Sequence, residues 1–144
     1  MKTIMCCLAL VALAVFTSAA FAEEPTLTSV EAKFDTTTHN KNADSKLDVY
    51  IKTGGGHEVA KSEGNEGNWK RNASHTLTLQ VESNPAKGDV ENGSVTLTFH
   101  PQGADKWEFN YKVTLKFSDG SFLTKEINGC TLTQHDPART DSIK

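Results

Sequence analysis

Six apolar side chains, Trp107, Phe109, Tyr111, Val113, Leu115 and Phe117, occupy alternate positions of one stretch. Glu108, Asn110, Lys112, Thr114, Lys116 and Ser118 fill the positions between them. A period of two over this length is incompatible with a helix and predicts a strand with one buried face and one wet face. Ser118-Asp119-Gly120-Ser121 is a turn signal, after which residues 122–127 return. A two-residue Asp119-Gly120 loop would pair Phe117 with Phe122 but put Leu123 and Ile127 on the polar face. A three-residue loop with Gly120 left-handed pairs Leu115 with Leu123 and Tyr111 with Ile127, and leaves Phe122 outside. The second register is favoured because it buries two returning apolar residues, and a slip by one residue would reverse every side chain.

Shorter alternating runs recur along the chain. Residues 27–34 place Val30, Ala32 and Phe34 inward, and residues 46–53 do the same with Leu47, Val49 and Ile51. Residues 57–61, 75–81, 94–100 and 130–134 read as further strands. Residues 35–45, 62–74 and 82–92 read as loops, Gly54-Gly55-Gly56 as a turn, and residues 135–144 as a polar, frayed tail. No helical period occurs after residue 22. About eight strands separated by turn signals predict an all-β protein, an antiparallel β-sandwich or barrel, with the sandwich preferred.

Residues 1–22 are set apart from this pattern. Lys2 precedes a nearly unbroken apolar run, and Ala20-Phe21-Ala22 forms a cleavage signal before Glu23-Glu24. This reads as a secretory signal peptide and predicts a secreted protein, periplasmic or extracellular. Removing 22 of the 144 residues leaves 122, expected to comprise one domain over residues 23–136 and a tail over 137–144. Fourteen of the 15 basic residues remain against 18 acidic ones, a balance of −4. That balance gives no support for nucleic-acid binding, and no later stretch is apolar enough to span a membrane. Cys6 and Cys7 leave with the signal. Cys130 then remains without a cysteine partner in its own chain, and a buried structural thiol is the expected state.

Candidate chemistry is sparse. The loop between the first two strands is rich in short oxygen-bearing side chains, and calcium takes six to eight oxygen ligands. Asp35, Asn40, Asn42, Asp44 and Asp48 are therefore the candidate calcium ligands, with Asp105 and Asp119 joining if their loops fall at the same end. The competing reading is ordinary turn chemistry, in which Asn, Asp and Thr bond their own backbone. The five histidines lack zinc-type spacing, and the glycine triplet lacks the lysine and helix of a phosphate loop. No catalytic constellation is found, so a non-enzymatic role is expected. Asn72-Ala73-Ser74 and Asn92-Gly93-Ser94 fit the glycosylation pattern. Trp69 is either a lid over one sheet edge, the preferred reading, or an exposed anchor. In the second case Trp69, Lys70 and Arg71 would suit a membrane interface or a carbohydrate.

Asp44-Ser45-Lys46-Leu47-Asp48-Val49-Tyr50-Ile51, following a threonine-rich loop, resembles the early signature of PLAT/LH2 (lipoxygenase-homology) domains. The stretch from Gly103-Ala104-Asp105-Lys106-Trp107 to Phe117-Ser118-Asp119-Gly120 resembles a strand and turn of small secreted bacterial sandwich proteins. Ala43 replaces the glycine usual before the acidic residue. The resemblance, over residues 27–133, implies a PLAT/C2-like sandwich of two four-stranded sheets. It also implies binding to a membrane, lipid or protein surface by the tip loops, assisted by calcium. The expected state is a monomer or weak oligomer. The alternatives are an interaction protein that associates through sheet edges and, behind it, a small hydrolase or inhibitor.

Overall fold

The computed structural model describes residues 22–144, so all of the signal-peptide reading except Ala22 lies outside the described residues. Eight strands follow one another: β1 (Leu27–Thr36), β2 (Lys46–Lys52), β3 (Glu58–Asn65), β4 (Ser74–Val81), β5 (Ser94–His100), β6 (Lys106–Phe117), β7 (Phe122–Thr133) and β8 (Ala138–Ser142). They form one antiparallel sheet in the order β7-β6-β1-β4-β3-β2-β5-β8, which curls into a nearly closed barrel. The pairing of β3 with β4 is short, only Ala60 with Val81 and Lys61 with Gln80, so two four-stranded halves meet there. The seam lies between β7 and β8, consecutive strands that have no ladder with each other.

Alternation builds the interior. Trp107, Phe109, Tyr111, Val113, Leu115 and Phe117 are all buried, as are the inward residues of β1, β2 and β5. Burying each such large apolar side chain contributes about 1.5–3 kcal/mol. The aromatic residues gather towards one end of the barrel. Trp107 and Phe109 stack at 3.7 Å, and Phe34 lies 5.5–5.9 Å from Trp69, Trp107, Phe109 and Tyr111. The Trp107 indole donates to the Thr36 hydroxyl at 3.1 Å, which satisfies its one buried donor.

The β6–β7 hairpin adopts the three-residue register. Leu115 faces Leu123, Tyr111 faces Ile127, and Gly120 is left-handed at φ 82°. Phe122 is 61% exposed, as that register requires. Three features differ from the sequence expectation. Residues 130–134 are not a separate strand: β7 continues through a bulge opposite Asn110, where Gly129 takes φ 69°. Residues 137–144 are not a frayed tail, because β8 pairs with β5 and Ile143 is buried. Its inward positions include Arg139 and Asp141, so hydrophobic alternation did not reveal it. A short helix, α1 (Lys87–Glu91), occupies the loop read as irregular and buries Val90.

At the seam, β8 contributes polar side chains to the interior. Asp141 accepts the Tyr111 hydroxyl at 2.6 Å and a bidentate Arg139 guanidinium at 2.5 and 2.8 Å. Cys130 is 1% exposed beside them, and burial pushes its thiol pKa up.

Candidate binding site at the loop-bearing end

The antiparallel order sends four loops to one end of the barrel: residues 37–45, 66–73, 101–105 and 134–137. Asp105 therefore does reach the 37–45 loop, whereas Asp119 lies at the opposite end in the β6–β7 turn. Asp105 acts as a clamp on that loop. Its Oδ2 accepts from the Asn42 amide at 3.1 Å and from the buried Ser45 hydroxyl at 2.7 Å, and Ser45 Oγ accepts from the Gln102 amide at 3.1 Å.

The predicted calcium ligands do not converge. Asp35 is held on the outside of β1 by the Ser74 hydroxyl and by Lys33 at 3.2 Å. The Ser74 hydrogen bond keeps its carboxyl below the usual range. Asp48, on β2, is bound by His100 at 2.7 Å and by the Gly64 amide at 2.6 Å. Asn40 Oδ1 accepts the Arg71 amide at 2.6 Å, while the Asn42 side chain and Asp44 are exposed. Among the described residues, no group of three or more His, Cys, Asp or Glu is placed to hold a metal ion. The side chains of Asp35, Asn40 and Asp48 bond distant segments rather than the loop's own backbone, so the loop is held by tertiary contacts.

Trp69 is a core residue rather than a surface anchor. It is 4% exposed, stacks on His75 at 4.8 Å and 11°, and meets Trp107 edge-on at 5.2 Å. The lid reading therefore describes it, whereas Lys70 and Arg71, named with it as contact residues, are exposed. The 66–73 segment runs across the barrel mouth as a strap. Lys41 and Trp69 exchange two backbone hydrogen bonds at 3.0 and 3.1 Å, and the Gly67 amide donates to Ala43 at 3.0 Å.

Beneath the strap lies a residue that sequence patterning did not single out. Lys41 is 0% exposed. Its ammonium donates to the Gly67 carbonyl at 2.9 Å and to the Asn42 carbonyl at 3.4 Å, and sits 5.1 Å from the Trp69 ring centre. Burial outweighs the pull of Asp105, Glu66 and Asp44 and holds its pKa down at about 8. Burial, and then Lys41, also lower the pKa of His75. A lysine in a loop carries no periodicity, so no sequence signal marked it.

Between the strap and the 37–45 loop lies an open polar groove. One depression of about 590 Å³ is lined by Asp35, Thr36, Thr37, Thr38 and residues 71–74. A second, of about 480 Å³, is lined by Thr38, His39, Asn40, Asn68, Lys70 and Arg71. Thr38 and Arg71 belong to both. His39 is held 2.9 Å from Glu108, whose carboxyl is brought down to about 2 chiefly by Lys106, with His39 adding to it. Among the described residues, neither Lys70 nor Arg71 forms an ion pair.

Comparison with family models and with curated protein sequences finds no match for this chain.

Proposed function

We propose that this chain is a secreted, non-enzymatic binding module that meets a partner surface with the loops at one end of its barrel. The observation that carries the reading is the strap. It presents two adjacent cations without acidic partners among the described residues, on a backbone pinned to the 37–45 loop, beside a groove lined by hydroxyls and amides. Among the described residues, lysines without an ion pair occur elsewhere on the surface, including Lys52, Lys87 and Lys116. What favours recognition of negative charge here is that two cations are adjacent on a pinned backbone beside a concave polar site.

The seclusion of Trp69 favours a polar partner over insertion into a bilayer, because no aromatic anchor faces outward from the strap. The separation of the candidate carboxylates favours binding without calcium. The sandwich and PLAT-like readings draw support from the two four-stranded halves joined by two residue pairs. Among the described residues, no helix is long and apolar enough to cross a membrane.

Binding of residues 22–144 to sulfonate, carboxylate and neutral matrices tests the proposal. Retention on an anionic matrix that is lost in Lys70→Ser/Arg71→Ser supports it. Equal retention of the variant contradicts it.

The unpaired edges of β7 and β8 favour a second reading, association by strand addition. Lys125, on the inward face of β7, and the bulge at Gly129 are features that blunt such edges. Light scattering over a range of concentrations separates the two readings.

A further inference from the structure

We propose that the groove beside the strap is a site for acidic saccharides, carrying carboxylate or sulfate groups, with Arg71 reading the charge. The inference rests on the binding-module reading and names its ligand class.

The two depressions, about 590 and 480 Å³, each fall within the range of small-ligand sites, and Arg71 lies on the ridge they share. An extended ligand occupying both would run past Arg71. Arginine offers five donors in a planar fork that matches a carboxylate or sulfate at two points. Lys70 adds a second cation to the smaller depression only. In the larger one the charged group besides Arg71 is Asp35, already engaged by Lys33 and Ser74. The charges thus set a direction: the anionic substituent lies towards Lys70, and uncharged hydroxyls lie towards Asp35.

The remaining lining selects for a polyol. Thr37, Thr38, Asn68 and Asn72 offer hydroxyls and amides that both donate and accept. Ala73 is the only apolar side chain lining either depression, so an acyl chain or a hydrophobic peptide side chain has no pocket to fill. A neutral sugar would depend on stacking against an aromatic face, and the nearby indole of Trp69 is sealed beneath the strap on His75. His39 is the one ring lining either depression and is tied to Glu108, so charge-assisted hydrogen bonds supply most of the affinity.

The site is also preorganised. The Arg71 amide donates to Asn40 Oδ1 at 2.6 Å, and the Asn72 amide donates to the Thr36 carbonyl at 2.8 Å. Asn72 sits at φ 62°, a left-handed turn that re-aims the chain between Arg71 and β4. Both walls of the groove are therefore fixed relative to each other before a ligand arrives, which reduces the ordering cost of binding.

The test is a calorimetric titration of residues 22–144, with amide chemical shifts recorded in parallel. The probes are oligogalacturonate, a heparin oligosaccharide, maltohexaose, inorganic sulfate and polyglutamate. The expected result is binding of at least one acidic oligosaccharide, about tenfold or more tighter than maltohexaose and weakening as salt rises. Shifts should centre on Thr38, Asn68 and Asn72. Arg71→Lys, which keeps the charge but loses the fork, should weaken binding several-fold, and Arg71→Gln should weaken it further. Their thermal melts should match the parent, because the side chain is exposed. Inorganic sulfate binding as tightly as the saccharide would overturn the inference in favour of a free-anion site. Polyglutamate shifting the groove while no saccharide does would overturn the ligand class and leave the binding-module reading standing. No response to any anionic probe would overturn both.

Discussion

The Lys41 ammonium lies 5.1 Å from the centre of the Trp69 ring, sealed from solvent beneath the strap that carries Trp69. The pair joins the 37–45 loop to the 66–73 segment, and its charge is retained in surroundings that oppose it. In the unfolded chain this lysine titrates near 10.5, and in the folded protein near 8. Below pH 8 both states hold the proton. Between about pH 8 and 10.5 the unfolded state holds a proton that the folded state has lost, so stability contributed by this group rises with pH in that window. The variant Lys41→Met should lack that rise. At pH 7 it should be neutral or more stable by about 1–4 kcal/mol, as when a buried charge is replaced by an apolar side chain of similar volume. Urea unfolding of both proteins at pH 7 and pH 9.5 checks this. The comparison is made between the two because Cys130 and the tyrosines Tyr50 and Tyr111 have raised pKa values and pull the other way at high pH in both.

Removing the clamp should loosen the same loop. Asp105→Ala deprives the Asn42 amide and the Ser45 hydroxyl of their acceptor and should cost about 1–3 kcal/mol. Amide hydrogen exchange of residues 42–45 should quicken more than that of β6. Unchanged exchange in the loop would mean that Asp105 does not hold it.

At the seam, Tyr111→Phe removes the hydroxyl that donates to the Asp141 carboxylate and should cost about 1.5–3 kcal/mol. Cys130 supplies the readout. Its buried thiol should react slowly with a disulfide reagent in the parent and faster in the variant, because reaction requires β7 and β8 to part. Equal rates would place the controlling opening elsewhere.

Calcium should leave the protein unaffected. Since Asp35 and Asp48 are engaged by different neighbours and do not form one cluster, thermal midpoints in EDTA and in millimolar calcium should agree. A saturable rise abolished by Asp44→Ala would contradict the geometry described above.

Strands were legible wherever one face is buried and the other wet. The alternation through Trp107 and Phe117 led to β6, and the competition between Phe122 and Leu123 for the buried face led to the hairpin register. β8 escaped because its inward Arg139 and Asp141 meet polar partners at a seam, where burial does not require an apolar side chain. The continuity of β7 was hidden by the bulge at Gly129, which shifts the pairing register. Of the candidate site, Lys70 and Arg71 were legible as exposed cations. The clustering of Asp35, Asn40, Asn42, Asp44 and Asp48 in sequence does not carry over into one group of carboxylates, because Asp35 on β1 and Asp48 on β2 are separated in the sheet by β4 and β3. Lys41 was out of reach, since its burial depends on a strap that arrives 26 residues later.

The most direct test of the account compares two charge-matched variants on a sulfonated matrix at rising salt. Lys70→Ser/Arg71→Ser removes the strap cations. Lys52→Ser/Lys116→Ser removes two cations that lie towards the opposite end of the barrel. If the strap is the binding surface, the first variant elutes at clearly lower salt than the parent, and the second elutes close to it. Equal losses in both would mean that overall charge, rather than a site at the loop-bearing end, governs binding, and would contradict the proposal.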